Sequence, residues 1–407
     1  MHIPFCHRRC FYCDFAVVPL GDKAGKENAP GSSSIRTYLR LLHEEIDLIQ
    51  EGSPLSTVYI GGGTPSLLTS SQISSLLDHL RDVFGLQNGA EITLEVDPAS
   101  FDKSALEDFL AIGINRLSLG GQSFDDELLL KLGRRHSSYE LIQACNWIDE
   151  KYKDGELISW SLDLMQNLPG HNLDFWSTQL RQALQTSVPH LSIYDLSIEP
   201  GTVFYWRKSR GEIKLPNEDL SVEIDRLTSE TLSKVGFARY EISNYALPGH
   251  ASRHNRVYWS GAGWWGFGMG ATSCPWGERL ARPRTRDGYK DWIKKQEKNG
   301  LDSSLQSRNA KQINLDDQLL VGLRRREGVD LELLATKWGW NLKEREEYLT
   351  SLKSRWQKFL DRGLLKNRGQ RVFLTNPQGM EMSNQILIEM LSWWDSLPDH
   401  AASPPSS

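Results

Sequence analysis

The sequence predicts an α/β fold built on a parallel sheet, with a small C-terminal domain of winged-helix-like pattern. Three observations predict it. Short apolar β-rich runs alternate with amphipathic helical segments between about residues 37 and 200, the order that produces parallel sheets with helical crossovers. Unusual residues (Gly61 to Ser66, Glu95, Gly120 to Ser123, Asp163) fall at the ends of those runs, where such sheets bind ligands. After residue 275 the composition shifts, and helical periodicity takes over from 316.

The predicted strands are Thr57–Ile60, Ile92–Val96, Arg116–Leu119, Ile158–Leu164 and His190–Tyr194, interleaved with helices such as Tyr38–Ile49, Ser71–Phe84 and Lys103–Ala111. Residues 21–34, GDKAGKENAPGSSS, are small, polar and Pro/Gly-rich and read as a flexible surface loop. Residues 1–275 thus form the α/β unit and 276–315 a charged connecting region. Residues 316–395 carry three helical patterns, then Gly363, Leu364, Leu365 and an Arg371–Thr375 strand. Residues 396–407 read as a disordered tail.

At 407 residues, two or three domains are expected. A content of 39% hydrophobic and 24% charged residues excludes disorder throughout. The balance of 47 basic against 52 acidic residues argues against a nucleic-acid partner. No stretch approaches the roughly 18 to 20 apolar residues of a membrane span, and the N-terminus lacks the apolar core of a signal peptide. Three of five cysteines lie within the first 13 residues, a poor disulfide framework, so a reducing, cytoplasmic compartment is expected. Fourteen tryptophans suit either a large flat ligand or aromatic-rich packing.

Cys6, Cys10 and Cys13 are spaced C-x3-C-x2-C. Soft sulfur ligands favour zinc, Cu(I) or iron–sulfur clusters. Zinc would want a fourth ligand, His2 or His7; a four-iron cluster could leave one iron open. Spacing alone leaves both standing. Gly61, Gly62 and Gly63 end a strand, where missing side chains let backbone amides approach a ligand; a tight turn explains two glycines but not GGGTP. Glu95 and Asp163 could hold a ribose hydroxyl or an ammonium, or be surface carboxylates. Gly261-x-Gly263-x-x-Gly266, with Asp287 about 20 residues on, matches a dinucleotide fingerprint on paper. It is rejected: no helix can start in WWGFGMG, and YWS is too short a strand. A lone histidine such as His254 is usually structural, but this one keeps company with Asn255, Tyr258, Trp259, Trp264, Trp265 and Phe267, and flat aromatic faces suit a macrocycle. Cys145, in LIQACNWI, reads as a buried small hydrophobe, and Cys274 as an inert thiol.

HIPFCHRRCFYCDF resembles the entry motif of the radical S-adenosylmethionine (SAM) superfamily. Further stretches are similar to the oxygen-independent coproporphyrinogen III oxidase-like family, and within it to the haem chaperone branch, HemW. They are IGGGTPSLL (60–68), LEVDPAS (94–100), RLSLGGQSFDDELLLKLGRRH (116–136), LDLMQNLPG (162–170), HLSIYDLSIEPGT (190–202), YEISNYALPGHASRHNRVYW (240–259) and GFGMGATS (266–273). They span roughly residues 1–275. The resemblance implies a partial (β/α)6 barrel in which Cys6, Cys10 and Cys13 hold a [4Fe–4S] cluster, with SAM on its fourth iron. When reduced, the cluster can cleave SAM to a radical. Gly62, Gly63 and Thr64 would contact the methionine part of SAM. Glu95, Gln122, Arg134 and Asp163 would make further SAM contacts, and His254, in HNxxYW, would ligate haem.

The chain also departs from that pattern. Phe15 stands where the family's true oxidases have a fourth cysteine, and their longer N-terminal segment is not expected here. A SAM-contacting tyrosine expected six residues before Cys6 would precede Met1, so the first strand is expected to be truncated by a start codon called too late. Asn167 replaces a common glycine, as a left-handed backbone tolerates. The implied function is binding haem and passing it to an acceptor protein, with a homodimer also suiting a surface haem site. The alternatives are oxidative decarboxylation of coproporphyrinogen III, disfavoured by Phe15, or another radical SAM reaction. A zinc-bearing nucleic-acid binder using Arg324, Arg325 and Arg326 is remote at a net charge of -5.

Overall fold

The computed structural model describes residues 1–21, 32–49, 52–307 and 313–402. Its frame is an eight-stranded sheet. In chain order the strands are β1 (His2–Ile3), β2 (Leu55–Gly62), β3 (Leu86–Val96), β4 (Arg116–Gln122), β5 (Ser159–Gln166), β6 (His190–Asp195), β7 (Ala238–Arg239) and β8 (Asn244–Ala246). The spatial order is β1-β2-β3-β4-β5-β6-β8-β7. The first six strands are parallel, while β8 and β7 close the row antiparallel. This is the expected α/β partial barrel of six parallel strands.

Residue alternation explains why the strands sit as they do. Leu94, Leu117, Leu119, Leu162, Leu164 and Leu191 are fully buried and point outward into the helical layer. Their neighbours Glu95, Ser118, Gly120, Asp163 and Tyr194 face the interior, since successive side chains take opposite faces. The helices are α1 (Ser32–Asp47), α2 (Ser70–Phe84), α3 (Lys103–Ala111), α4 (Asp126–Leu132), α5 (Ser138–Lys153), α6 (Leu173–Gln185), α7 (Val203–Ser209), α8 (Glu218–Lys234), α9 (Arg253–Ser260) and α10 (Arg286–Asn299). Local chemistry fixes several starts: Thr69 and Gln72 make a capping box on α2, and Ser137 and Glu140 make another on α5.

Three stretches differ from expectation. Ser32, Ser33 and Ser34, assigned to a flexible loop, form the first turn of α1; residues 22–31 of that loop lie outside the described residues. The stretch 276–315, read as a connector, contains α10, whose Tyr289 and Ile293 are buried in the barrel core. Its high charge hid an apolar stripe at helical spacing. The tail is ordered as far as 402: Asp399–Ala402 forms a helical turn, because Ala401 is buried and its carbonyl accepts from Nε1 of Trp338 (2.9 Å) and Trp340 (3.0 Å). Residues 403–407 lie outside the described residues.

A second apolar core gathers helices Leu315–Leu323, Leu331–Trp338, Leu342–Asp361 and Ser383–Trp394. The hairpin of Leu365–Arg368 with Arg371–Leu374 pairs with Val329–Asp330 beside them, giving the winged-helix-like arrangement. No helix among the described residues is long and apolar enough to cross a membrane.

A buried ion pair ties the segment just before α10 to α1, and Tyr289 of α10 joins the same carboxylate. Glu45 Oε1 accepts from Arg282 Nε at 2.7 Å, and Oε2 accepts from Tyr289 OH (2.5 Å) and Gly268 N (2.6 Å). With side-chain exposures of 2% and 1%, neither charge can be left alone without a large desolvation penalty. Arg282→Met is expected to cost about 3–5 kcal/mol, read as a lowered urea midpoint; an unchanged midpoint would show that the pair contributes nothing to stability.

Candidate functional site

The cysteines lie on a loop whose two ends are stitched together. Phe5–Cys6 pairs parallel with Val18–Pro19, Leu20 N donates to Cys6 O (2.8 Å) and Gly21 N to His7 O (2.9 Å). The loop is anchored outward as well: Phe11 N donates to Leu132 O (2.9 Å) and Phe204 N to Phe11 O (2.9 Å). All three thiols are half-buried. They line one cavity of about 470 Å³ at the C-terminal ends of the parallel strands. Gly62, Gly63, Thr64, Glu95, Gln122, Arg134 and Asp163 line the same cavity, so every residue carried over as a cluster or SAM contact converges there.

The three glycines of β2 and its exit are each pressed by a different neighbour. A Cβ on Gly61 would stand 2.7 Å from the Tyr59 ring and 2.8 Å from Glu95 Oε1. On Gly62, at φ +121°, it would strike the His2 ring at 2.2 Å. On Gly63 it would meet Phe5 O at 2.6 Å and Cys6 Sγ at 2.9 Å. The cysteine loop therefore lies directly on the strand end, joined by Gly63 N to Ile3 O (2.8 Å) and Thr64 N to Phe5 O (2.7 Å).

The charged residues are held from behind. Glu95 accepts from Tyr59 OH at 2.8 Å and Gly62 N at 2.9 Å. Burial pushes its carboxyl up to about 7, against those hydrogen bonds, and Asp163 adds repulsion. Burial also raises Asp163, which accepts from Ser118 Oγ at 3.0 and 3.2 Å. Arg134 donates to Asp97 Oδ2 and Gly120 O, both at 2.6 Å, and Nη1 lies 3.8 Å from Cys10 Sγ. Its buried Nε has no hydrogen-bond partner among the described residues. Gln122 adopts φ +64° at a register shift that ends β4; the irregularity re-aims its side chain. Asn167 likewise takes a left-handed φ of +57°.

Burial pushes Cys6 up to about 12 and raises Cys13 as well. Such thiols are neutral on their own, and a bound metal cation reverses this by stabilising thiolate. The donor set fits an iron–sulfur cluster: three thiols round the wall of a cavity, with a guanidinium beside Cys10. Among the described residues no three His, Cys, Asp or Glu side chains close around a single metal ion, as zinc would require. His2 lines a neighbouring cavity. Sequence reasoning missed Tyr12, Asp97, Ser118, Met165 and Tyr194, which also line the thiol cavity. The period-two alternation from Glu95, Gly120 and Asp163 could have found Asp97, Ser118 and Met165; Tyr12 and Tyr194 lie on other segments and had no such signal.

His254 is not in that cavity. It lies on α9 and lines a second one, of about 530 Å³, with Tyr59, Tyr258, Trp264, Trp265 and Phe267. Its Nδ1 is 2.8 Å from Thr57 Oγ1, its Nε2 2.9 Å from Tyr258 OH, and its ring stacks on Tyr59 at 4.9 Å and 21°. Burial, with Arg116 nearby, lowers its pKa to about 3, so the imidazole is neutral at neutral pH. The buried Glu91 positions α9 by accepting from Arg253 N (3.0 Å), His254 N (2.9 Å) and Ser252 Oγ (3.3 Å). Trp259 turns aside, with the Arg324 guanidinium 5.9 Å over its ring.

YWS is the end of α9, not a strand, and Gly261 is its left-handed cap. Gly263 and Gly266 serve close backbone packing: a Cβ would meet Pro275 O at 2.3 Å and Thr272 O at 2.2 Å. Cys145 and Cys274 are both buried. Phe15 is 57% exposed on the rim of the thiol cavity.

The model of the radical SAM superfamily matches residues 1–178. The heme chaperone HemW of Synechocystis sp. is 38% identical over 405 residues, covering 96% of this chain and 95% of its own. That of Bacillus subtilis is 31% identical over 394 residues, covering 95% and 97%. Among solved structures, the coproporphyrinogen III oxidase HemN of Escherichia coli superposes with a TM-score of 0.74 over 95% of this chain and 88% of that one. At 21% identity that likeness shows the fold alone.

Gly63→Ala tests the contact between strand end and cysteine loop. The added methyl must displace Phe5 O and Cys6 Sγ. The variant is expected to keep its far-ultraviolet circular dichroism yet take up much less iron per chain on anaerobic reconstitution. Full iron uptake would show that the loop tolerates the shift.

Proposed function

From the premise that this chain belongs to the HemW family of radical SAM proteins, we propose that it is a haem chaperone: it binds haem at His254 and delivers it to an acceptor protein. The observation that carries this reading is the neutral His254 imidazole set in a cavity walled by Tyr258, Trp264 and Trp265. A neutral imidazole is a common haem axial ligand, and aromatic walls suit a planar macrocycle. Thr57 Oγ1, accepting from Nδ1–H, would leave the Nε2 lone pair for iron, with Tyr258 OH as the group to be displaced. A reducing, cytoplasmic setting suits the free thiols, and a homodimer would suit haem exchange at a surface site.

In the other cavity Cys6, Cys10 and Cys13 would hold a [4Fe–4S] cluster. SAM would lie along Gly62, Gly63, Thr64, Glu95, Gln122, Arg134 and Asp163. When bound, the cluster supplies one-electron reduction. The chain's own part is to orient and to exclude water. Glu95 and Asp163 accept from ribose hydroxyls or an ammonium, Arg134 keeps positive charge beside Cys10, and the glycines, lacking side chains, let the cysteine loop close against the strand end. Phe15 in place of a fourth cysteine disfavours the oxidase alternative.

Two measurements follow. Haem titrated into anaerobically reconstituted protein is expected to give a stoichiometric Soret band that is lost or shifted in His254→Ala. Absence of a specific band would overturn the chaperone reading, and the oxidase or another radical SAM reaction would then lead. SAM binding is expected to weaken as pH falls. Above about 7, Glu95 is ionised and attracts the cationic sulfonium and ammonium. Below that value its protonation removes the attraction, by about tenfold in affinity per pH unit. Calorimetric titration between pH 8 and about 6 should show this slope in the native protein and not in Glu95→Gln; equal slopes would remove Glu95 from the site.

A further inference from the structure

We infer that Glu95, Tyr59 and His254 form a relay between the two cavities, with Tyr59 as the positioning residue, so that SAM binding at Glu95 loosens haem held by His254 and haem loosens SAM in return. The inference rests on the ligand assignments proposed above.

The geometry is a shared wall. Glu95 and Gly62 line both cavities. Both oxygens of Glu95 are engaged, one by Tyr59 OH and the other by Gly62 N. Tyr59 is then the platform beneath His254, its ring nearly parallel to the imidazole. Thr57, two residues earlier on the same face of β2, holds the imidazole's Nδ1. One strand therefore sets the carboxylate facing one cavity and the imidazole facing the other. Little slack separates them: at Gly61 there is no room for a methyl between the Tyr59 ring and Glu95.

A cation or hydroxyl that draws on Glu95 Oε1 competes with Tyr59 OH. Tyr59 must then reorient, taking its ring from under the imidazole, or leave its hydroxyl without its acceptor. Either outcome removes preorganisation from His254, and an imidazole whose platform is loose holds iron less firmly. The effect is reciprocal, because coupling between two binding equilibria is a single free energy. For a carrier this sign is useful, since loading one cavity promotes release from the other.

Haem affinity is measured from the Soret band of the full reconstituted protein with and without saturating SAM, in the native chain and in Tyr59→Phe. Phenylalanine keeps the stack and the volume and removes only the hydroxyl. In the native protein SAM is expected to weaken haem binding at least about fivefold, with the same factor for SAM when haem is bound. In Tyr59→Phe haem still binds and the factor falls to one. An unchanged or tightened haem affinity in the native protein, or the full factor in Tyr59→Phe, would overturn the relay. Absence of any haem band would instead sink the chaperone reading. The relay would then be read without either ligand, from the imidazole resonances of labelled protein, with His254 assigned through His254→Ala. Glu95→Gln is expected to move the His254 signals in the Tyr59 background and not in the Tyr59→Phe background. Signals that stay put in both, or move equally in both, overturn it.

Discussion

A loop carrying three cysteines rests on a strand end made of three glycines, and the close approach of these two backbones governs the candidate site. Gly63 N donates to Ile3 O of β1 and Thr64 N to Phe5 O at the start of the loop, and at Gly63 the distance to Cys6 leaves no space for a methyl group. The thiols are thereby placed over the mouth of the parallel strands, where the alternation of β3, β4 and β5 delivers Glu95, Ser118, Gly120 and Asp163. Any side chain on those glycines would separate the sulfur atoms from the carboxylates, and the cavity would cease to be one site.

The same strand also reaches the other way. β2 carries Thr57 and Tyr59 toward α9, and α9 is held by a carboxylate from β3. Glu91 does for that helix what a capping side chain does elsewhere, but from a different element and from a buried position. Its desolvation is offset by three hydrogen bonds, and the benefit is that the start of α9 is fixed to the barrel wall. His254 thus inherits the rigidity of the sheet although it sits on a two-turn helix.

Much of this was legible in the residues themselves. The parallel frame followed from alternation of Leu-rich runs with amphipathic helices, as did the strand-end positions of Glu95 and Asp163; their convergence with Gln122 on the cysteines was implied only by the family resemblance. What escaped had physical causes. α10 escaped because RDGYKDWIKKQEKN is dominated by exposed charge, and only the burial of Tyr289 and Ile293 reveals its stripe. The ordered end of the chain escaped because a single alanine carbonyl, shared by two tryptophans, holds it. Composition cannot show such a bond. The role of Tyr59 was hidden for a similar reason: its partners Glu95 and His254 lie 36 and 195 positions away, and neither pairing leaves a local signature.

The stitching of the cysteine loop bears on what holds the thiols in place. The loop's closure depends on backbone pairing between Phe5–Cys6 and Val18–Pro19 and on anchors to Leu132 and Phe204, none of which involves a metal. Small zinc domains unfold when the ion leaves, because the ion is their core. Here apolar side chains of the loop itself, Phe5, Phe11 and Tyr12, pack into cores shared with the barrel. If a cluster is bound there, as proposed, its loss would leave the backbone pairing that closes the loop in place.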